Sequence, residues 1–509
     1  MPPEDPISRS TPQRREFLKG IGISASATLL SGTLGAAQLA ANQQQVDQIQ
    51  LPPKETAMGD KSRKDLHRID GIDPKNIVDE YASRDLTSVS DAGFYREIGA
   101  IISKPPQKGL TSFTLHAPLE LMARYGLLRL VDPADRELGR LQLVASGAVY
   151  GAGVHPVEKP PQIAPFPDLK TASVEFARVF QQADANAMEA LVLQIAAQFG
   201  TPSFVHLLTP LALPTLTGAS HSHIGLWLLL RHGEPAAVED ASLLRAAARS
   251  LAADPKAQMK SFSGMSIEGG KPLASSAAQI EQEILEKLSN PPKGESAGES
   301  IRHLVESGEK TGNADRLFGE FIRHDLTPVQ IDAAFRAVLR ICAHSMLQHD
   351  TKHAKFGWTH CLTLPQSAYG LACLNTDRKL ALAAALVWTT AYRSVLSDQA
   401  IDLNWTPSKV PNASIIETLN TSPQVAAARV WHASDSELPE IRRVLATEAS
   451  IRNDIHLVKY TRACFDMGSL DPQFTHLYLA SAAYLSALWI SECPRQTLKE
   501  HLLAGRFTP

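Results

Sequence analysis

The sequence predicts an all-α protein. Three features favour this fold class: apolar residues spaced three and four apart, helix start signals, and alanine-rich runs such as residues 380–391. One such apolar stripe consists of Met188, Leu191, Val192, Ile195 and Phe199. Thr327, Pro328 and Gln330 form a start signal, because Thr caps a helix, Pro suits its first position and Gln completes a capping box. Alternation of apolar and polar residues is scarce, so strands are not expected.

The N-terminus is typical of a twin-arginine export signal. Arg14-Arg15 is followed by a weakly apolar run over residues 20–34 and by small residues at 36–41 that offer a cleavage region. We therefore predict a signal peptide over residues 1–41 that is bound by the twin-arginine translocase. The protein would then be exported to the periplasm or the extracellular space. The alternative is a short amphipathic or anchoring helix, although the apolar run is too short to span a bilayer.

Net charge, apolar stretches and cysteine spacing give no indication of nucleic-acid binding, of a further membrane span or of a cysteine-based site in the mature protein. The net charge of −3 gives no reason to expect nucleic acid as a partner. No other apolar stretch reaches the length of a membrane span. The five cysteines show no CxxC spacing, so they indicate neither a disulfide scaffold nor a zinc ribbon, and buried thiols are the favoured interpretation.

Two segments follow the predicted signal, and the second contains a region of distinct composition. Residues 42–88 are polar and are predicted to be a linker, and residues 89–509 are predicted to form one large helical domain, an array or bundle. Residues 261–313 are rich in Gly, Ser, Lys and Glu, which favours a polar insertion or mobile connection across the surface, with an exposed helix at 279–288. No repeat of fixed period is visible.

The candidate chemistry lies in histidine. Four histidines occur within otherwise apolar, helical segments, and they are His116, His221, His360 and His456. A single histidine of this kind is more often a hydrogen-bonded core residue than a metal ligand, so both interpretations remain open for each.

The segment around His456 is the most informative. His456 and Lys459 are three residues apart and share a helix face. Apolar neighbours would desolvate the lysine and lower its pKa. A neutral amine can bind a metal, or it can react with carbon dioxide to give a carbamate with carboxylate-like oxygens. The alternative is a lysine whose amine reaches the surface beside a core histidine.

His349, His353 and His360 form a rival cluster, and its first two members are the rival pair. They are one helical turn apart, as in a two-histidine metal face. However, Asp350 and Lys352 suggest a solvated surface, and Gly357 is expected to break the helix before His360.

Four short segments, taken in order, resemble the questin oxidase-like family, which is named after a fungal enzyme that opens an anthraquinone ring. They are Leu115-His116-Ala117-Pro118 (with Ala in place of Gly), Gly218-Ala219-Ser220-His221, His360-Cys361-Leu362-Thr363 and residues 454–463. The last segment fits the pattern Asp-x-His-hydrophobic-hydrophobic-Lys-hydrophobic-Thr-x-Ala and is the most specific. The resemblance extends over roughly residues 90–500.

The resemblance implies a helical oxygenase that acts on aromatic, quinone-type molecules. In part of the family the centre is a non-haem iron held by four histidines and a carboxylated lysine. The corresponding residues are His116, His221, His360, His456 and Lys459. They would bind Fe(II), with Lys459 carboxylated, beside an aromatic substrate and dioxygen.

Two alternatives to the iron oxygenase remain. Other members of the family are described as NADPH-dependent Baeyer–Villiger-type monooxygenases, and here NADPH would bind without a Gly-x-Gly-x-x-Gly sequence after a strand. A non-catalytic helical binding protein would leave the histidines dispersed or Lys459 in solvent. A zinc hydrolase is disfavoured, because no carboxylate base accompanies a histidine pair at the expected spacing.

Overall fold

The computed structural model describes residues 69–107, 109, 111–154, 162–232, 241–262, 270–295, 300–349, 351–374, 378–397, 399–410 and 413–503. Over these residues the chain is helical and forms no β-strand, which confirms the predicted all-α class. None of the described helices is long and apolar enough to cross a membrane. The predicted signal peptide and residues 42–68 of the predicted linker lie outside the described residues.

The described chain contains 21 α-helices joined mostly by short turns. They are α1 Ile77–Ser83, α2 Asp91–Ile102, α3 Ser112–Leu128, α4 Arg136–Gly151, α5 Leu169–Gln182, α6 Ala185–Phe199, α7 Thr201–Ala212, α8 Ser222–His232, α9 Ala241–Ala252, α10 Ala277–Ser289, α11 Ile301–Lys310, α12 Asn313–Arg323, α13 Pro328–Gln348, α14 Thr359–Leu374, α15 Arg378–Leu396, α16 Ile415–Leu419, α17 Pro423–Trp431, α18 Leu438–Ile451, α19 Ile455–Leu470, α20 Thr475–Glu492 and α21 Arg495–Leu503.

The start of α13 shows how local sequence sets a helix boundary. The Thr327 hydroxyl accepts a hydrogen bond from the Gln330 backbone N–H at 3.3 Å, and the Gln330 side chain accepts one from the Thr327 N–H at 2.7 Å. These bonds satisfy two of the backbone donors that a helix start leaves without partners. The predicted capping box is therefore present, with Pro328 in the first turn.

The folded body begins before the predicted boundary at residue 89. Ile69, Ile72, Ile77 and Leu86 are buried, and α1 packs against α4. The polar composition that suggested a linker belongs to solvent-facing side chains such as Asp79. Residues 69–88 are therefore part of the helical body.

The predicted polar insertion also belongs to the body. It contains α10, which packs against α13, and α11, which packs against α15. Ile280, Ile284 and Leu288 form the buried face of α10. Apolar residues at every third or fourth position are enough to bury one face, even where the remaining residues make the segment polar on average. The prediction of an exposed helix and a mobile connection missed this buried face.

Four helices define the part of the fold that carries the candidate site. α3 packs on α8, α8 on α14, α14 on α19, and α19 on α3, which closes a ring of four helices. The four sequence segments that contain His116, His221, His360 and His456 each lie in one of these helices or directly before it. The ring therefore brings together segments that are far apart in the chain.

Candidate metal centre

The four histidines predicted from the sequence meet inside this ring of helices. The ring centroids lie 4.6 Å apart for His116 and His221, 5.0 Å for His221 and His360, 5.0 Å for His360 and His456, and 4.9 Å for His456 and His116. All four side chains are buried. In the described residues, ring nitrogens of His116, His360 and His456 lie within 4.8 Å of one another, so this buried group could hold a metal ion.

Lys459 reaches the same point from α19. It is 3 % exposed, and its Nζ lies 3.0 Å from His221 Nε2. His221 Nε2 is also 3.1 Å from His360 Nε2. Two nitrogen ligands about 2.1 Å from a shared ion and at roughly a right angle lie about 3 Å apart, so this spacing suits a common ion. We call the four histidines and Lys459 the histidine centre.

His116 is held by the first turns of α3. Thr111 and Thr114 form a capping box at the helix start. The Nδ1 atom of His116 lies 2.6 Å from the Ser112 carbonyl oxygen, which makes Nδ1 the protonated nitrogen. Its Nε2 is buried and has no hydrogen-bond partner in the described structure. An unpartnered buried nitrogen carries a desolvation cost that a metal ion would offset.

A left-handed turn places His221 before α8. Gly218, Ala219 and Ser220 have φ values of 57°, 52° and 58°. The left-handed region costs a non-glycine residue about 1–2 kcal/mol, so the turn is strained at two positions. It directs the Gly218 carbonyl oxygen to within 3.0 Å of His221 Nδ1. Gly218 itself is required sterically, since a Cβ there would overlap the Ser250 hydroxyl.

His360 follows a π-helical turn, Ala354–Trp358, that runs directly into α14. Gly357 therefore sits in a widened turn and does not interrupt the chain's helical path. The Phe356 carbonyl oxygen of this turn lies 2.5 Å from His360 Nδ1. The Phe356 ring, which is 53 % exposed, packs edge-on against His456 at 4.9 Å and covers part of the centre. π-turns of this kind recur at functional sites.

Asp454 positions His456. Its Oδ1 accepts a hydrogen bond from the Leu457 backbone N–H at 2.7 Å and thereby caps α19. Its Oδ2 lies 3.6 Å from His456 Nδ1, which is too long for a hydrogen bond but close enough for electrostatic attraction. Each of the four histidines therefore turns Nδ1 towards a backbone carbonyl or a carboxylate, which leaves Nε2 available for a ligand.

Burial keeps these groups uncharged. Desolvation, followed by repulsion from Lys459, holds the pKa of His116, His221 and His360 well below the ordinary histidine value. Burial also lowers the pKa of His456, and Asp454 only partly offsets this. Burial lowers the pKa of Lys459 to about 7, again with a small opposing effect of Asp454. At neutral pH the histidines offer lone pairs, and a large fraction of Lys459 is the neutral amine.

Helix ends add a positive potential. α3, α8 and α19 begin at the histidine centre. Each helix N-terminus carries about half a positive charge, so the three together contribute roughly 1.5 charges. Such a potential disfavours protonated histidine and favours an anionic ligand at the centre.

An apolar pocket adjoins the centre. It lies between α3, α8 and α9 and includes His221 in its wall. Its apolar lining includes Leu119, Met122, Leu226, Leu229 and Leu244. A second pocket, beside Trp405 and Tyr484, includes none of the histidine-centre residues in its lining.

The rival pair does not form a metal face. His349 is the C-cap of α13, and His353 ends a separate 3-10 turn. His349 Nδ1 lies 3.1 Å from Ser397 Oγ, and its Nε2 contacts the Arg393 guanidinium. A nitrogen that faces a guanidinium cannot at the same time bind a cation.

Sequence reasoning missed the residues that orient the histidines. Asp454 belongs to the most specific of the four segments but was assigned no role, although an Asp directly before a helix start is a recognisable cap signal. Phe356 was not predicted, and neither its exposed ring nor its carbonyl contact with His360 is marked by any sequence pattern.

Compared with known proteins, the chain matches no protein-family model, and no curated protein or solved structure shows significant similarity to it. The functional assignment therefore rests on the residues and geometry of the histidine centre.

Proposed function

We propose that this protein is a non-haem iron oxygenase of the questin oxidase-like type, in which His116, His221, His360, His456 and Lys459 bind Fe(II). One observation carries the proposal: five nitrogen-bearing side chains, from three helices and the turn before a fourth, converge at one buried point. A helical binding protein would have no need to bury these groups together, because each costs free energy without a ligand.

The donor set suits iron and favours an ion that is bound together with an anionic ligand. Imidazole suits iron, copper, nickel and zinc, and four neutral imidazoles leave the charge of a divalent ion uncompensated. The helix N-termini increase this excess of positive charge. Carboxylation of Lys459 would supply the missing anion. In that reaction the neutral amine forms an N–C bond with carbon dioxide and loses one proton, which gives a carbamate with one negative charge.

The protein's part in the reaction is to hold the ion, exclude water and position the substrate. Fe(II) would supply the capacity to bind and activate dioxygen. The carbonyls of Ser112, Gly218 and Phe356 fix the orientation of three imidazoles. Phe356 shields the centre from solvent on the side of His456.

The adjoining pocket suggests the substrate class. Its apolar walls and its contact with His221 favour a small aromatic molecule, for which a quinone is one example. Arg249 also lines the pocket, and together with Arg245 it contacts the single carboxylate of Glu189. Two guanidinium groups and one carboxylate leave an excess positive charge, which favours a substrate with an acidic oxygen substituent.

Metal analysis tests the proposal. The full-length protein, purified anaerobically with Fe(II) and bicarbonate, should contain one iron per chain by elemental mass spectrometry. His456→Ala and Lys459→Ala should lose most of it while keeping wild-type helicity by circular dichroism. His303→Ala, which removes an exposed histidine of α11, is the matched control and should keep its iron.

Two further measurements address the finer claims. Protein prepared with ¹³C-labelled bicarbonate should show a carbamate signal by ¹³C NMR that Lys459→Ala lacks. Oxygen consumption with a panel of phenolic and quinone compounds should require iron and should not require NADPH. Full iron occupancy in both alanine variants, or NADPH-dependent turnover by iron-free protein, would overturn the proposal.

A further inference from the structure

Four arginines gather around one carboxylate at the opposite end of the site helices. Arg462 is buried, and its Nη2 donates a hydrogen bond to Asp466 Oδ1 at 2.5 Å. Arg231 Nε lies 3.5 Å from the same oxygen. Arg442 and Arg129 complete the group, and we call Arg129, Arg231, Arg442 and Arg462 the arginine cluster.

Local contacts place the two outer arginines. A Cβ added to Gly468 would lie 3.4 Å from Arg442 Nη2. The Arg442 guanidinium therefore packs against the backbone of α19 two residues after Asp466. Arg129 is the C-cap of α3, and it interacts electrostatically with Arg462, Arg231 and Asp466. The arginine cluster thus draws on α8, α18 and α19 and on the residue after α3.

The described groups of the cluster carry a large excess of positive charge. Four guanidinium groups face one carboxylate, and the adjacent His232 is neutral because burial and the arginines lower its pKa. The C-termini of α3 and α8 lie here and supply about half a negative charge each. An excess of roughly two positive charges remains. Burial, followed by repulsion from Arg462, lowers the pKa values of Arg129 and Arg442.

Several buried polar atoms of the cluster also lack partners. In the described structure, Nε of Arg442, Nε of Arg462, Nε2 of His232 and the acceptor Oδ2 of Asp466 make no hydrogen bond. The side chain of His232 is 6 % exposed and that of Arg462 is 6 % exposed, so water does not satisfy them freely. Unpaired buried donors beside an uncompensated charge are the conditions under which a protein binds an anion.

The cluster is open to solvent on one side. Arg129 is exposed and Arg442 is half-buried, whereas Arg231 and Arg462 form the floor. A ligand can therefore enter past the two outer arginines. From these observations we propose that the arginine cluster binds a doubly charged oxyanion of the phosphate type. The planar guanidinium group matches two oxygens of such a ligand, and two negative charges match the remaining excess.

This site is separate from the histidine centre. Along α19, Lys459 and Asp466 are separated by about 10 Å of helix rise at 1.5 Å per residue. Along α3 the separation between His116 and Arg129 is about 20 Å, and along α8 that between His221 and Arg231 is about 15 Å. Anion binding at the cluster therefore does not depend on the proposed iron chemistry.

Calorimetric titration of the full-length protein with inorganic phosphate tests the proposal. Chloride is used to keep ionic strength constant, so that general screening does not change during the titration. We expect one binding site, and we expect Arg442→Gln and Arg129→Gln each to raise Kd by about 10-fold or more, since each removes a charged donor. Arg336→Gln, a partly exposed arginine of α13, is the matched control and should leave Kd unchanged.

A triple variant separates an external anion from the chain's own carboxylates. Glu234, Glu239 and Asp240 follow α8 in the sequence. If wild-type protein binds no phosphate but a Glu234→Gln, Glu239→Gln, Asp240→Asn variant does, these acids neutralise the cluster and the proposal is overturned. It is also overturned if neither protein binds phosphate, or if Arg442→Gln and Arg129→Gln bind it as tightly as wild type. Site-dependent binding by wild type supports it.

Discussion

Replacing Lys459 with Met should stabilise the metal-free protein at neutral pH. The Lys459 side chain is almost fully buried, and among the described residues no carboxylate lies within hydrogen-bonding distance of it. Burial lowers the pKa of Lys459 from 10.5 to about 7. Methionine is similar in length and carries no charge to desolvate. The same change removes the amine that the proposed iron site requires, so stability and function should respond in opposite directions.

The size of the effect follows from the pKa. The difference between a pKa of 10.5 in the unfolded chain and one of about 7 in the folded protein corresponds to about 5 kcal/mol of preference for the neutral amine in the folded state. Because the folded pKa lies below the unfolded value, the folded protein loses its proton first as pH rises. The unfolded protein then binds more protons between about pH 7 and pH 10.5, so wild-type stability increases across that window. Below pH 7 both states are protonated, and the full cost remains.

Urea unfolding of chelator-treated proteins measures this difference. Carbon dioxide-free buffers are needed, because carboxylation would change the charge of Lys459. We expect Lys459→Met to exceed wild type by about 5 kcal/mol near pH 6.5, by about 3 kcal/mol near pH 8.5 and by little near pH 10.5. Lys310→Met, at the exposed end of α11, controls for the added methionine. A difference that does not change with pH would show that Lys459 remains an ordinary ammonium group in the folded protein.

Three further substitutions probe the surroundings of the centre. Asp454→Asn should change the free energy of unfolding by no more than about 0.5 kcal/mol, because Asn also caps a helix. It should weaken metal binding about 10- to 100-fold in chelator competition, because His456 loses its carboxylate neighbour. An unchanged affinity would assign Asp454 to capping alone. Gly218→Ala should cost about 1–3 kcal/mol in thermal unfolding, since its φ is 57° and its Cβ would overlap the Ser250 hydroxyl. Wild-type stability would mean that the turn relaxes easily. His349→Gln should retain full iron content, and a loss of iron would return the rival pair to consideration.

Much of the local structure was predictable from the sequence. The start of α13 was predicted from Thr327 and Gln330, because a capping box depends on residues within four positions of one another. The shared face of His456 and Lys459 was predicted for the same reason, since helical spacing alone brings i and i+3 together. The desolvation of Lys459 followed from its apolar neighbours, and the lowered pKa agrees with it.

Other features depend on packing that sequence patterns do not encode. The left-handed turn before His221 places Ala and Ser in a region that most residues avoid, so local preferences argue against it. No pattern in the amino-acid sequence predicts the π-turn at Phe356. To predict the burial of Ile69 and Ile280, one must know which surfaces cover them. The average composition of their segments predicts solvent exposure instead. The convergence of the four histidines could be proposed only from a family resemblance.

The ring of α3, α8, α14 and α19 also has a consequence for biosynthesis. α3 is synthesised well before α19, so a nascent chain that has not reached Ile455 lacks two of the five proposed ligands, His456 and Lys459. A bound ion would stabilise, by mass action, a chain in which all four helices have packed together, and would leave shorter nascent chains without this stabilisation. Tight retention of the ion would then report that α3 and α19 had met.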